Sequence, residues 1–308
     1  MDVEMTSSNV KLLLKPLLPV PLRRLMRGVL HYMQRVGRWG IILWQVRGVT
    51  WGDQWTLIRS ALAAPLVSTR RLLEWQDPLL LSDVVVKVSG VGRFRLRGRC
   101  DDLWHVLPWR ERHIVRFLRN HLRKGDVFID AGANIGFYSV LAASLVGEKG
   151  NVVAIEMMPD TASRLTKNLG LNGSAHVAVV QKALSGQAGE KVRAEVIPGK
   201  FGQASIAESK DSAAATMIEV ETTTLDELDR QFGGIGRVKV LKLDLEGAEE
   251  AALQGAGNLL DKTDFAVYES WGRSRREGTV VDRLFESCGF DLEQLDGNNW
   301  VAKKRHID

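Results

Sequence analysis

Through the first 123 residues the apolar positions recur mostly at helical spacing, and from Asp126 onward short apolar runs alternate with helical stretches. Pro21 suits the first turn of a helix over residues 21–36. Leu22, Leu25, Met26, Val29, Leu30 and Met33 would share its inward face, with Arg23, Arg24, Arg27 and Gln34 around it. Gly37 and Gly40 are expected to end that helix, and residues 1–9 read as disordered. Further helices are expected at 53–64 and 66–76. Residues 84–88 and 93–97, joined around Gly90 and Gly92, read as a hairpin with alternating basic residues. Residues 109–123 read as a helix with Ile114, Val115, Leu118 and Leu122 inward. Strands then follow at 127–129, 151–155, 177–180, 238–243 and 265–268. Helices are expected at 137–145, 160–171 and 279–287. Segments 191–197 and 217–223 look antiparallel, and Thr224-Leu225-Asp226-Glu227 reads as a capping box. Residues 290–295 and 300–303, linked by Asp296-Gly297-Asn298-Asn299, predict a terminal hairpin. The alternation implies an α/β protein with a parallel sheet.

At 308 residues the chain exceeds one typical domain. We divide it into an N-terminal extension, 1–107, and a catalytic domain, 108–308. Hydrophobic content of 45% and charged content of 26% allow a sizeable core. The net charge of +5 conceals an asymmetry. Residues 1–125 hold 22 Lys/Arg against 9 Asp/Glu, whereas the remainder is acidic, and seven of the nine tryptophans precede residue 110. Such a stretch is a solvated basic face or a contact for an anionic surface. Cys100 and Cys288 show neither C-x-x-C nor metal-type spacing, so two free thiols are expected. The apolar runs near the N-terminus are too short and too interrupted for a membrane span or a secretory signal. The expected location is the cytoplasm, with peripheral contact at the inner membrane surface.

The sharpest local signal is Asp130-Ala131-Gly132-Ala133-Asn134-Ile135-Gly136, between a strand-like and a helix-like run. Its glycines allow close backbone approach, and the helix start offers free N–H groups. Glu156 ends the next strand, where open α/β sheets place the carboxylate that holds ribose hydroxyls. Aligned to G-x-G-x-x-G, the chain has Gly132, then Asn134 and Phe137 where the second and third glycines would stand. No P-loop is present. A cofactor with a ribose but no phosphates fits better, and S-adenosylmethionine is the common one. Asp130 is expected to face its cationic aminoacyl end. An ordinary β-turn-α corner would use the same glycines; Glu156 is the independent mark in favour of a cofactor.

These residues, with Lys242-Leu243-Asp244-Leu245-Glu246-Gly247-Ala248-Glu249 and Tyr268-Glu269-Ser270, resemble the FkbM-type family of S-adenosylmethionine-dependent methyltransferases over about residues 108–304. The resemblance implies the Rossmann-like class I methyltransferase fold, a seven-stranded sheet ending in an antiparallel hairpin, here with a mainly helical N-terminal extension. It also implies methyl transfer to a hydroxyl of a sugar, glycolipid or natural product. The cofactor site would comprise Asp130, Gly132, Asn134, Gly136, Glu156, Ala183 and Asp244.

Asp244, Glu246 and Glu269 are the candidate catalytic residues. In extended backbone Asp244 and Glu246 would face one side, about 6.5–7 Å apart, and Glu269 would open onto the same crevice. Asp244 is the first candidate to deprotonate or orient the acceptor, while Glu249 reads as a first-turn helix residue. An oxygen-ligated Mg²⁺ on these acids is chemically open, although the chain carries no strong metal signature. Nucleobase methylation is the rival enzyme reading; the basic, Trp-rich N-terminus favours it and the acidic catalytic half opposes it. A catalytically dead binding or scaffold subunit is the alternative of another class. The loops around 199–215 and 271–278 would choose the acceptor. Residues 1–76 would either bring the enzyme to an anionic membrane or lipid-linked acceptor, or cap the acceptor site.

Overall fold

The computed structural model describes residues 20–64, 78–196, 199–203, 205–206, 216–270 and 278–305. Helix α1 (Val20–Gln45) runs straight into strand β1 (Val46–Gly48), passing through the two glycines expected to end it. Two interior glycines cost roughly 2 kcal/mol of helix propensity. Trp39 and Ile42, both packed into the core, outweigh that at about 1.5–3 kcal/mol per buried side chain. The inward register is Arg35, Trp39, Ile42 and Val46, so Val29, Leu30 and Met33 face solvent, opposite to the expected face. The side chains of Leu22, Leu25 and Met26, and the helix expected at 66–76, lie outside the described residues.

Helix α2 (Trp51–Ala63) opens with a capping box: the Thr50 hydroxyl accepts the Asp53 N–H, and Asp53 accepts the Thr50 N–H at 3.0 Å. The expected hairpin forms as β2 (Val84–Val88) and β3 (Gly92–Leu96), and β1 extends it to a three-stranded antiparallel sheet. Helices α3 (Asp102–His105) and α4 (Arg112–His121) follow, the latter shorter than the pattern predicted.

The strand–helix alternation then runs β4 (Val127–Ala131), α5 (Phe137–Val146), β5 (Asn151–Ile155), α6 (Pro159–Leu171) and β6 (Ala178–Val180). A small side sheet interrupts it, formed by β7 (Ala183–Leu184), β8 (Lys191–Val196), β9 (Ser205–Ile206) and β10 (Thr216–Thr223). Strands β8 and β10 pair antiparallel, as expected. At α7 (Leu225–Gln231) only half of the anticipated capping box forms. Thr224 accepts the Glu227 N–H, but the Glu227 carboxylate bonds Gln231 and Arg230 instead.

The chain finishes with β11 (Val238–Leu243), α8 (Glu249–Gln254), α9 (Gly257–Asp261), β12 (Thr263–Glu269), α10 (Val280–Ser287), β13 (Phe290–Asp296) and β14 (Asn299–Lys304). The main sheet has the order β13-β14-β12-β11-β4-β5-β6. Strand β14 pairs antiparallel with both its neighbours, and the remaining pairs are parallel. Side-chain alternation divides the core between the two faces. Phe128, Val152 and Val240 join a cluster that also holds Trp39, Phe94 and Leu118, so it crosses residue 107 without a break. Ile129, Val153 and Leu241 pack on the other face with Leu259 and Phe285. Among the described residues no helix is long and apolar enough to cross a membrane. The carboxyl ends of β4, β5, β11 and β12 open together, where such sheets bind ligands.

Candidate active site

The turn after β4 is shaped by its neighbours. Gly132 has φ +81°, and a Cβ there would lie 1.8 Å from the carbonyl oxygen of Asp244. Only glycine lets the turns after β4 and β11 touch. Gly136 has φ +92°, and a Cβ would meet Leu165 at 2.4 Å. Between them Asn134 takes a left-handed backbone and donates its N–H to Glu156 Oε2 at 2.9 Å. The other Glu156 oxygen accepts the Met158 N–H at 2.9 Å. Burial, opposed by those two hydrogen bonds, pushes the Glu156 carboxyl up to about 7. Asn134 Oδ1 is buried with no hydrogen-bond partner among the described residues.

A second network reaches the same cleft from the N-terminal segment. Asp101 accepts the backbone N–H groups of Phe201 and Gly202, each at 3.1 Å, and so ties the loop at 199–203 across the cleft. His105 contacts Asp101 through Nε2 at 3.1 Å and Arg110 through Nδ1 at 3.2 Å. Arginine only donates and a carboxylate only accepts, so this pattern puts the imidazole hydrogen on Nε2. Arg110 also pairs with Glu111 at 2.8 Å, and Glu111 accepts the hydroxyl of buried Tyr138. A Cβ on Gly202 would overlap His105 Nε2 at 2.1 Å, so glycine is required there as well.

The acids after β11 are arranged differently from the expectation. The strand ends at Leu243, and Glu246 has φ +51°, so Asp244 and Glu246 are not successive same-face positions of an extended strand. The turn closes because Glu249 accepts the N–H groups of Leu245 and Gly247, at 2.8 and 3.1 Å. The two-residue relation holds instead for Lys242 and Asp244, which pair at 2.9 Å. Burial acts to raise the Asp244 carboxyl, but Lys242, with Arg110 behind it, outweighs this and holds it below the ordinary value. Glu246 behaves oppositely. Its side chain is exposed at the mouth of the cleft, yet partial desolvation and the charges of Asp244, Glu269 and Glu249 push it up to about 7. Two neighbouring carboxyls thus differ in proton affinity because only Asp244 is paired directly with the Lys242 ammonium, while Arg110 acts on both.

The resulting cleft takes in about 780 Å³, part of it open solvent at its mouth. Its walls include Gly132, Asn134, Glu156, Ala183, Asp244, Glu246 and Glu269. Asp130 and Gly136 are not among the lining residues. Asp130 is buried beneath the turn, where it accepts the Ser139 hydroxyl at 2.6 Å and has Lys242 as its nearby cation. Its other oxygen has no hydrogen-bond partner among the described residues. His105, Arg110 and Lys182 also line the cleft, and sequence reasoning did not find them; Phe201 and Gly202 line it from the loop expected to choose the acceptor. Lys242, which does not line the cleft but pairs with Asp244, was legible two positions before it in a strand. Loop residues 207–215 and 271–277, expected to choose the acceptor, lie outside the described residues.

Among the described residues the grouping with metal-ligand spacing is Cys100, Asp101 and Asp102, away from the three acids considered for Mg²⁺. Its carboxylates are already engaged: Asp102 is doubly bonded to Arg97, and Asp101 holds the 199–203 loop. Burial raises the Cys100 thiol far above its usual range, so it stays protonated.

A parallel sheet with its last strand reversed and inserted beside the edge strand, and with a ribose-type carboxylate after the second central strand, defines a class I methyltransferase fold. The methyltransferase FkbM domain family matches residues 130–292, more than half of the chain. The chain therefore belongs to the FkbM methyltransferase family and is an S-adenosylmethionine-dependent methyltransferase. It is similar to the hexuronic acid methyltransferase AglP of Haloferax volcanii, with 29% identity over 65% of this chain and 80% of that protein. It is also similar to methyltransferase sdnD of Sordaria araneosa, with 26% identity over 59% of this chain and 79% of that one. Among solved structures, Aeropyrum pernix fibrillarin with bound S-adenosyl-L-methionine aligns at a TM-score of 0.39 and 11% identity, covering 74% of this chain and 96% of that one.

Proposed function

We propose that this methyltransferase acts on a hydroxyl of an acidic sugar, carried on a glycan, a glycolipid or a related natural product. The observation that carries the reading is the charge arrangement of the cleft. Glu246, raised to about 7, stands with Asp244 and Glu269 on one wall, and Arg110, His105 and Lys182 line the same space. Similarity to a hexuronic acid methyltransferase supports the same acceptor class.

The cleft residues fit S-adenosylmethionine. Glu156 offers a carboxylate to ribose hydroxyls, and the unpartnered Asn134 Oδ1 offers an acceptor to a donor such as the cofactor's ammonium. When bound, the cofactor supplies a methyl group already activated on a sulfonium. This chain's residues then have two tasks: to hold the hydroxyl in line and to take its proton. We assign the proton to Glu246, whose carboxyl titrates near neutrality and is a far better base than cation-paired Asp244. Asp244, locked on Lys242, keeps a fixed negative charge near the sulfonium, and Glu269 orients the acceptor. Arg110 is paired with Glu111 and Lys182 with Glu221 at 2.7 Å, and both bring positive charge to the cleft. These cations suit a uronic carboxylate, which Arg recognises through paired hydrogen bonds. Residues 1–107 serve the same site by supplying His105 to its wall and Asp101 to hold the 199–203 loop.

Incubation with S-adenosylmethionine and a panel of saccharides, read by mass spectrometry, tests this. A methyl-sized gain is expected on saccharides containing glucuronic or galacturonic acid, and much less on their neutral hexose counterparts. Preferred methylation of the neutral saccharides, or of RNA, refutes the acceptor class.

A further inference from the structure

The N-terminal sheet carries an arrangement that the catalytic reading leaves unused. Arg47 on β1 stands directly opposite Lys87 on β2, and Lys87 directly opposite Arg93 on β3. All three are exposed, and none forms an ion pair with a described residue. Like charges directly opposite on neighbouring strands destabilise a sheet, and an anion against the row would relieve that repulsion. Across from it, helix α4 presents Arg112, Arg116 and Arg119. Between the two lies a groove of about 1640 Å³, open to solvent, with no Asp or Glu among its lining residues. Pro108, Trp109 and Arg112 wall this groove while neighbouring Arg110 enters the catalytic cleft, so a single turn of chain separates the two spaces.

The same face is apolar on one side. Leu30, Met33, Ile41 and Trp44 recur at helical spacing along α1, with Gly37 between them, and all four side chains are exposed, Trp44 at 74%. That stripe ends in the groove, because Trp44 is one of its walls. Beyond it, α2 exposes Trp51 at 90% and Trp55 at 58%. Tryptophan beside aliphatic side chains, bordered by exposed cations, is the composition of a surface that rests at a bilayer interface.

We infer that this face docks on an anionic phospholipid bilayer, with Leu30, Met33, Ile41 and Trp44 entering the headgroup–acyl boundary and the Arg47–Lys87–Arg93 row and its groove taking lipid phosphates. A second copy is a poorer occupant, since a two-fold contact would set the cationic row against itself. RNA would satisfy the cations but not the aliphatic stripe. The inference is independent of the acceptor assigned above.

The test is co-sedimentation of the full chain with phosphatidylglycerol/phosphatidylcholine vesicles and with phosphatidylcholine alone. Salt is set at about 0.05 and 0.5 M, to change the screening of the surface charges. Strong low-salt binding to the anionic vesicles alone is expected. The pair Arg47→Gln with Lys87→Gln should weaken it roughly 30-fold, and Met33→Ser with Trp44→Ser by at least about tenfold. Unchanged S-adenosylhomocysteine affinity in both pairs certifies that they fold. Four outcomes overturn the proposal: no binding to anionic vesicles at low salt, equal binding to neutral ones, tighter capture of a single-stranded RNA oligonucleotide lost in the same variants, or a dimer by light scattering that Met33→Ser with Trp44→Ser dissociates.

Discussion

Glu156 makes a quantitative demand on cofactor binding. Its carboxyl is pushed up to about 7 by burial, and both oxygens already accept a backbone N–H. If ribose hydroxyls donate to it, the ionised form binds best. Raising the pH from 6 to 8 takes the ionised fraction from about 1/11 to about 10/11, so affinity should rise roughly tenfold across that window. Glu156→Gln should flatten the profile and bind about tenfold or more weakly at pH 8, through loss of a charge-assisted hydrogen bond. The variant also turns an amide NH₂ against either the Asn134 or the Met158 N–H, which should cost roughly 1–3 kcal/mol of stability. The sign of the pH effect on stability is fixed by the direction of the shift. A carboxyl raised in the folded state resists an ionisation that the unfolded chain accepts, so the wild-type protein loses stability as pH climbs from the ordinary carboxylate range through about 7. The deficit of Glu156→Gln should therefore shrink towards alkaline pH. Calorimetric titration with S-adenosylhomocysteine from pH 6 to 8 measures the first effect, and thermal melts over a wider range measure the second. Glu246 titrates in the same window, so Glu246→Gln is the control that keeps the slope if Glu156 causes it. A flat wild-type profile, with Glu156→Gln binding as tightly at pH 8, would refute the ribose contact.

Three further outcomes are expected. Glu246→Gln should lower methyl transfer by about 10²–10⁴ and remove a limb near pH 7 from the rate profile while cofactor affinity holds; a wild-type rate at saturation would remove Glu246 as the base. Gly132→Ala should cost roughly 1–2 kcal/mol for its left-handed backbone and about 1–3 more for overlap with the Asp244 carbonyl. Gly173→Ala, at φ +67° with open space around it, should cost only the first part in the same melts. Lys242→Met leaves Asp244 and buried Asp130 without their shared cation, so stability should fall by about 3–5 kcal/mol at neutral pH. Because Asp244 is held below its ordinary value, that loss should narrow as pH falls through the carboxylate range, which chemical denaturation at pH 7 and pH 4 can compare.

Local sequence determined much of this protein. The β-branched runs at 127–131, 151–155 and 238–243 can be buried on both faces only as inner parallel strands, and each lies where the pattern predicted. Gly132, Glu156 and the acids after the fourth strand of that series were legible because strand ends converge at one edge of such a sheet. Contacts between distant segments were not legible. Whether Gly37 and Gly40 end a helix depended on the burial available to Trp39 and Ile42, and the outward turn of Val29, Leu30 and Met33 depended on which face the sheet could cover. The positive φ of Glu246 arises from the Glu249 brace, and this broke the simple alternation from Asp244. The entry of His105 and Arg110 into the cleft needed Asp101 to bridge a hundred residues to Phe201. Proton affinity was decided last and wholly in three dimensions: Asp244 and Glu246 are the same chemistry two residues apart, and the Lys242 ammonium reaches only one of them.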